Sequence, residues 1–160
     1  APEGCSAADR MFAMLNARWL TATARHGNGG RSPMKGSGRF AALREKSRRR
    51  FRGYPVATVA YYGPDATRAT KVAVGVILKE GDEPTALERW HSEESDVRFD
   101  QEICGAVLDF IAAHAVKTVV LSPGIIGCPH EEGGDYPVGE KCPACPYWAD
   151  RDRLTGEPTR

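Results

Sequence analysis

The stretch Tyr54-Pro-Val-Ala-Thr-Val-Ala-Tyr-Tyr62 is rich in β-branched and aromatic residues, and Gly63-Pro64-Asp65 interrupts it. Such residues are enriched in strands, whereas glycine and proline tend to end them. A second run, Lys71-Val-Ala-Val-Gly-Val-Ile-Leu78, resumes the strand pattern and stops at Gly81-Asp82. The two runs predict a β-hairpin with a long loop, and this hairpin is the centre of the predicted fold.

Three further elements extend this hairpin. The run Leu87-Glu-Arg-Trp-His91 fits a third strand, and Asp100 is a suitable N-cap for a helix that ends near His114. One face of this helix consists of apolar residues at fourfold spacing: Ile103, Val107, Ile111 and Ala115. The run Lys117-Thr-Val-Val-Leu-Ser122 predicts a short strand in the sheet centre, ended by Pro123-Gly124. This order predicts an α+β fold, with a small, mainly antiparallel sheet and one packed helix.

Four residues of metal-binding type follow the last predicted strand: Cys128, His130, Cys142 and Cys145. Their pattern is C-x-H-x11-C-x2-C, so each half of the set can reach one ion from a tight turn. Thiolates and imidazole are soft ligands, and four of them complete the tetrahedron that Zn²⁺ prefers. We therefore predict a zinc-binding loop over residues 127–148.

Other uses of the cysteines fit less well. A disulfide framework calls for an even number, whereas this chain has five cysteines and shows no signal peptide. A thioredoxin-like CxxC should open a helix after a strand, yet only 15 residues follow Cys145. Cys104 lies beside the predicted helix face, so we expect a buried thiol there rather than a fifth ligand.

The number of ligands bears on what the zinc does. Four protein ligands close the coordination sphere, which is typical of structural zinc, whereas catalytic zinc keeps a position open for water. The alternative is a hydrolase or deaminase-like enzyme in which one of the four residues does not ligate and Glu131 or Glu132 moves the proton. The deaminase signature H-x-E…P-C-x-x-C matches poorly, because the residue two after Cys128 is histidine and the residue before Cys142 is lysine. This favours a binding module without catalytic residues, with the enzyme as the alternative.

Charge is distributed unevenly along the chain. The formal net charge is only +1, but residues 1–55 hold 12 lysines and arginines against three acidic residues, whereas residues 56–160 hold 10 against 18. We therefore predict a basic N-terminal arm over residues 1–52 and an α+β domain with the zinc loop over residues 53–160. No stretch is apolar enough to span a membrane.

The predicted arm has a helix at Ser6–His26, a Gly-rich flexible linker to Gly38 and a basic segment at Arg39–Arg52. An alternative start at Met34 would leave residues 1–33 as an upstream extension. Candidate nucleic-acid-binding residues are Arg44, Lys46, Arg48, Arg49, Arg50 and Arg52, because clustered cations release counterions from phosphates. The other interpretation is a basic helix that docks on the domain through Phe40, Leu43 and Phe51. The expected partners are nucleic acid or an acidic surface for the arm, and an unidentified protein for the acidic domain.

Four strings resemble parts of a group of short bacterial proteins with a GCPHEEG…YP.G..CP.CP.W tail. They are Gly-Tyr-Pro-Val-Ala-Thr-Val-Ala-Tyr-Tyr-Gly-Pro-Asp (53–65), Gly-Cys-Pro-His-Glu-Glu-Gly (127–133), Asp-Tyr-Pro-Val-Gly (135–139) and Cys-Pro-Ala-Cys-Pro-Tyr-Trp (142–148). The resemblance covers roughly residues 50–157. It implies a bacterial, cytoplasmic protein with a metal-type ligand set, and it implies no activity.

Overall fold

A computed structural model describes residues 38–151 and 157–159, and these residues form one four-stranded sheet and two α-helices. The elements in chain order are α1 (Gly38–Arg48), β1 (Val56–Tyr62), β2 (Lys71–Ile77), β3 (Ala86–His91), α2 (Gln101–Ala113), β4 (Thr118–Ile125) and a short 3₁₀ helix at Pro146–Trp148. The strand order is β3-β2-β1-β4, with β1 parallel to β4 and the other neighbours antiparallel. The predicted α+β class and mainly antiparallel sheet are confirmed. The helix predicted at Ser6–His26 and the linker after it lie outside the described residues.

The hairpin of β1 and β2 forms the centre of the sheet. Its register pairs Val56 with Ile77 and Tyr62 with Lys71. Every residue of β2 is buried, and so is every residue of β1 except Tyr62. A strand covered on both faces needs a continuous apolar run rather than an alternating one, and both runs have this composition.

Helix α2 begins where the sequence predicts. The Asp100 side chain accepts hydrogen bonds from the backbone N–H groups of Glu102 and Ile103, which otherwise have no partner in the first turn. Val107 and Ile111 are buried against the sheet. Ala115 does not continue this face, because it lies beyond the helix end with a φ of 50° and is exposed.

Helix α1 lies in the basic segment and packs against α2 and β4. Leu43 is only 1% exposed and belongs to the main core, and the ring of Phe40 contacts Tyr61 and Phe99 edge to face. The docking expected of Phe40 and Leu43 is therefore confirmed. The docking expected of Phe51 is wrong, because its side chain is 59% exposed and contacts the ring of Tyr54.

Strand β4 differs from the prediction in position and length. It lies at an edge of the sheet rather than the centre, and it continues past Pro123 to Ile125. Proline has no N–H to donate, so an edge strand or an irregularity can hold it. Here the β1–β4 register shifts between Val59 and Tyr61, and the Ser122 hydroxyl accepts a hydrogen bond from the Tyr61 N–H across the shift.

Candidate metal centre

The metal loop starts where β4 leaves the sheet. The N–H of Ile126 donates to the carbonyl of Tyr61, and the N–H of Gly63 donates to the carbonyl of Gly127, each at 2.9 Å. These bonds extend the pairing with β1 by two residues beyond the end of β4. They therefore place Cys128 at the end of the central hairpin, next to the loop that begins at Gly63.

The four predicted ligands come together at this end of the sheet. One ligand atom from each of Cys128, His130, Cys142 and Cys145 lies within 4.8 Å of all the others. His130 Nδ1 is 3.2 Å from Cys128 Sγ, 3.5 Å from Cys142 Sγ and 3.4 Å from Cys145 Sγ. Zn–S and Zn–N bonds of about 2.3 and 2.0–2.1 Å at a tetrahedral angle imply an S···N separation of about 3.5 Å. The observed distances agree with this geometry.

Hydrogen bonding alone does not explain this arrangement. The Nδ1 atom of His130 carries at most one proton, so it cannot donate to three sulfurs at once. None of the cysteines within residues 38–151 forms a disulfide. The donor set therefore fits a single bound metal ion, and the predicted clustering of the four residues is confirmed.

The cluster is shielded from solvent mainly on the side that the cysteines form. Cys128 and Cys145 are buried, Cys142 is partly buried, and His130 is exposed. The Trp148 ring packs against the buried cysteines. The indole Nε1–H of Trp148 donates a buried 2.8 Å hydrogen bond to the Gly63 carbonyl, so this side chain links the CxxC turn to the end of β1.

The environment of the thiols requires a cation if they are to ionise. Burial raises the pKa of Cys128, and the thiols of Cys142 and Cys145 add to this effect. Burial also raises the pKa of Cys145, where the hydrogen bond with Cys128 opposes the effect and Cys142 adds to it. A divalent cation bound among the sulfurs would reverse the effect, because a coordinating thiol loses its proton outright. The backbone N–H of His130 also donates to Cys128 Sγ at 3.3 Å, which favours the thiolate.

A buried lysine anchors the loop from the sheet face opposite the helices. Lys71 is 5% exposed, and its ammonium donates to Glu131 Oε1 at 2.7 Å and to the Pro129 carbonyl at 3.1 Å. Arg89 from β3 also reaches Glu131 Oε1, at 2.8 Å. Both cations point away from the helices, since their neighbours Val72 and Trp90 belong to the helix-covered core. The residues that flank His130 are thus fixed to β2 and β3.

These contacts occupy the glutamates that the enzyme alternative needs. Burial alone would raise the pKa of Glu131, but the hydrogen bond from Lys71 and the charges of Lys71 and Arg89 outweigh it and lower the pKa. The carboxylate of Glu132 accepts a hydrogen bond from the Gly139 N–H. Each carboxylate therefore makes a contact that helps to hold the loop in place.

The basic residues predicted to bind nucleic acid are placed at and after helix α1. Five of them are exposed: Lys46, Arg48, Arg49, Arg50 and Arg52. Arg44 is partly buried, with its guanidinium 5.9 Å from the centre of the Phe40 ring. The structure thus gathers five exposed cations over the last turn of α1 and the segment that joins it to β1.

Sequence reasoning missed the residues that hold the metal loop in place. Lys71 was part of an apolar strand pattern, and its burial follows only from the fold of the loop over the sheet. Arg89 belongs to a strand that was predicted, but no signal marked its partner more than forty residues away. Gly63 was interpreted as a strand breaker, and that signal could have indicated a close approach of two backbones.

Comparisons with known protein families, curated proteins and solved structures give no match for this chain. Among the described residues, no helix combines the length and the apolar character needed to cross a bilayer. Further statements about function therefore come from the geometry of the chain itself.

Proposed function

We propose that the protein is a zinc-stabilised binding module, in which one Zn²⁺ ion bound by Cys128, His130, Cys142 and Cys145 fixes the C-terminal loop to the sheet. The observation that carries this proposal is the mutual distance of four protein donors around a single point. Three sulfurs and one imidazole suit Zn²⁺ better than Mg²⁺ or Ca²⁺, which take oxygen ligands. Four protein donors leave no position for water, so the role supported best is structural.

The expected contribution of zinc to stability is large. Structural zinc supplies an apparent binding free energy of about 10–16 kcal/mol, and a typical domain has an unfolding free energy of about 5–15 kcal/mol. The loop after β4 has few other anchors, chiefly the Trp148–Gly63 hydrogen bond and the ion pairs of Glu131. Removal of zinc should therefore unfold this loop and lower the melting temperature of the domain.

The test compares Cys142→Ser with Cys104→Ser in the full chain. Both changes replace a sulfur by an oxygen, but Cys104 is a buried residue of α2, outside the cluster, and donates to the Arg98 carbonyl. We expect one equivalent of zinc in the wild type and in Cys104→Ser, and a loss of tight binding in Cys142→Ser. If Cys142→Ser keeps both its zinc and the wild-type melting temperature, the proposal is wrong.

Cobalt substitution separates the binding module from the enzyme. A closed tetrahedron of three thiolates and one imidazole should give intense visible absorption that added anions leave unchanged. An exchangeable water ligand, with anion-dependent spectra, would instead support the hydrolase or deaminase alternative that uses Glu131 or Glu132. The engagement of both glutamates in the fold argues against that alternative.

We also propose that the exposed basic segment is the binding surface of the module, with nucleic acid as its partner. Support comes from the five exposed cations between Lys46 and Arg52 and from their affinity for phosphates. The affinity for single-stranded DNA or RNA should fall steeply with salt, and replacing Arg48, Arg49 and Arg50 by alanine, which keeps the core residue Leu43 in place, should weaken it severalfold at low salt. Unchanged binding by this variant would contradict the assignment of the nucleic-acid surface to the basic segment.

We further propose that the protein is bacterial and cytoplasmic, as the resemblance implies. A set of zinc-bound thiolates suits a reducing compartment, where thiols stay unpaired. Localisation of the tagged protein by cell fractionation would test this, and recovery from an oxidising compartment would contradict it.

A further inference from the structure

A cationic cavity lies on the helical side of the domain, away from the metal loop. It has a volume of about 410 Å³ and forms where the end of α1, the segment before β1, the end of α2 and the start of β4 meet. The side chains around it are Lys46, Arg49, Arg52, Ile111, Val116, Lys117 and Val119. Three of these residues belong to the predicted nucleic-acid-binding set, whereas Lys117 comes from a different part of the chain.

The lining combines two kinds of chemistry. Four cationic side chains surround the cavity, and none of the acidic residues in the described part of the chain lines it. Within residues 38–151 and 157–159, none of these four cations forms an ion pair with a carboxylate. The remaining wall is apolar, and Ile111 and Val119 belong to the main core. The cavity therefore suits an anion that also carries an apolar or aromatic body.

The backbone on both sides of the cavity is fixed. The buried Thr118 hydroxyl accepts a hydrogen bond from the Arg52 N–H at 3.0 Å and donates to the Gly53 carbonyl at 2.8 Å. The N–H of Lys117 donates to the Pro55 carbonyl at 2.9 Å. Arg52 and Lys117 thus extend from two segments held together by one buried threonine. Such positioning lowers the entropic cost of gathering charges around a ligand.

We propose that this cavity binds one nucleotide, with its phosphate among the four cations and its base against the wall of Ile111, Val116 and Val119. The volume lies within the range of small-molecule sites, about 300–1,000 Å³. Inorganic phosphate would leave the apolar wall unused, and a fatty acid would satisfy one charge out of four. The nucleotide is either free or one unit of a single strand, and the second case rests on the proposed nucleic-acid surface.

The test uses a pair of double variants of the zinc-loaded full chain. Arg49→Ala/Lys117→Ala removes two charges that line the cavity, whereas Arg68→Ala/Lys79→Ala removes two exposed charges that lie neither in the basic segment nor around the cavity. The probes are adenosine monophosphate, inorganic phosphate and a ten-nucleotide single strand, titrated by calorimetry. Zinc content and far-UV circular dichroism show whether each variant is folded.

We expect the cavity variant to lose roughly tenfold or more in affinity, since charge-assisted hydrogen bonds are lost, and the control variant to lose less than about twofold. Binding of the monophosphate identifies a free nucleotide, and binding of the single strand alone identifies a nucleotide within a strand. Equal losses in both variants would mean a diffuse electrostatic surface and would overturn the cavity site. Inorganic phosphate that binds as tightly as adenosine monophosphate would also overturn it, as would the absence of binding by all three probes.

A second variant keeps the test valid if the double variant fails to fold. Val116→Phe narrows the cavity without changing charge, and it should weaken binding of the probe that the wild type prefers. An unchanged affinity would contradict the proposal. The zinc measurement and the nucleotide titration test different proposals. A wild-type sample that is folded without zinc would contradict the proposed metal centre, and its nucleotide affinity would still test the cavity.

Discussion

Replacement of Lys71 by methionine tests whether a buried ammonium group holds the metal loop on the sheet. Methionine preserves the apolar stem, so the change in packing should cost less than about 1.5 kcal/mol. The Pro129 carbonyl loses the donor that lies 3.1 Å away, and an unsatisfied buried acceptor costs about 1–3 kcal/mol. Glu131 keeps its contact with Arg89, so the penalty of about 3–5 kcal/mol for an unpaired buried charge is not reached in full. We expect a net loss of about 2–3 kcal/mol in unfolding free energy.

The assay is urea unfolding at a fixed concentration of free zinc, because bound zinc adds to the apparent stability. Tryptophan fluorescence reports the transition, since Trp148 lies against the buried cysteines. Zinc affinity should also fall, by roughly tenfold to a hundredfold, as for other residues that position metal ligands. A double-mutant cycle with Glu131→Gln should give a coupling free energy above about 1 kcal/mol.

The matched control is Lys79→Met, which changes an exposed lysine just past the other end of β2 and should shift stability by less than about 0.5 kcal/mol. If Lys71→Met has an equally small effect, or if its coupling to Glu131 is below about 0.5 kcal/mol, the anchoring role is refuted.

Two other predictions concern the ends of the sheet. A Cβ at Gly63 would lie 2.0 Å from the Arg68 carbonyl oxygen, so Gly63→Ala should cost about 1–3 kcal/mol of unfolding free energy and weaken zinc binding. The control is Gly124→Ala, whose Cβ meets nothing within 4 Å. Urea unfolding and zinc titration compare the two variants, and equal effects would contradict the steric argument. Burial raises the pKa of Asp96, but its hydrogen bonds from Arg98 outweigh this and lower the pKa below 3.8. The stability from this carboxylate is therefore present above pH 3.8 and is lost as the pH falls through the lowered value. Asp96→Asn should cost about 1–3 kcal/mol of unfolding free energy at neutral pH, and this difference from the wild type should shrink in acid. Because both proteins lose zinc in acid, comparing them at each pH cancels that effect. A difference that stays constant with pH would refute the contribution of the ion pair.

Local sequence patterns were enough to predict most of the helices and strands in the described part of the chain. The β-branched and aromatic runs of β1 and β2 predicted a hairpin, and Asp100 predicted the start of α2 because its carboxylate satisfies the free N–H groups of the first turn. The edge position of β4 was not predictable in the same way. A short run of valines fits a central or an edge strand equally well, and the choice depends on which strand pairs with β1.

The candidate metal centre was predictable for a different reason. Few other residue types supply soft metal ligands, so the identity and spacing of these residues alone predict a metal site: Cys128, His130, Cys142 and Cys145. The anchoring residues Lys71 and Arg89 give no such signal, because lysine and arginine are ordinary surface residues. Their role follows from contacts with Glu131 across more than forty residues of chain.

The sequence by itself determined the α+β class and the four metal-ligand candidates, since strand periodicity, capping and ligand chemistry act over short distances. Only the tertiary structure decided that β4 runs parallel to β1 at the sheet edge, that Lys71 is buried under the metal loop, and that Lys117 joins Lys46, Arg49 and Arg52 around one cavity. Each of these depends on which distant segments share a surface. That choice is set by the packing of the whole core, and no local run of residues contains it.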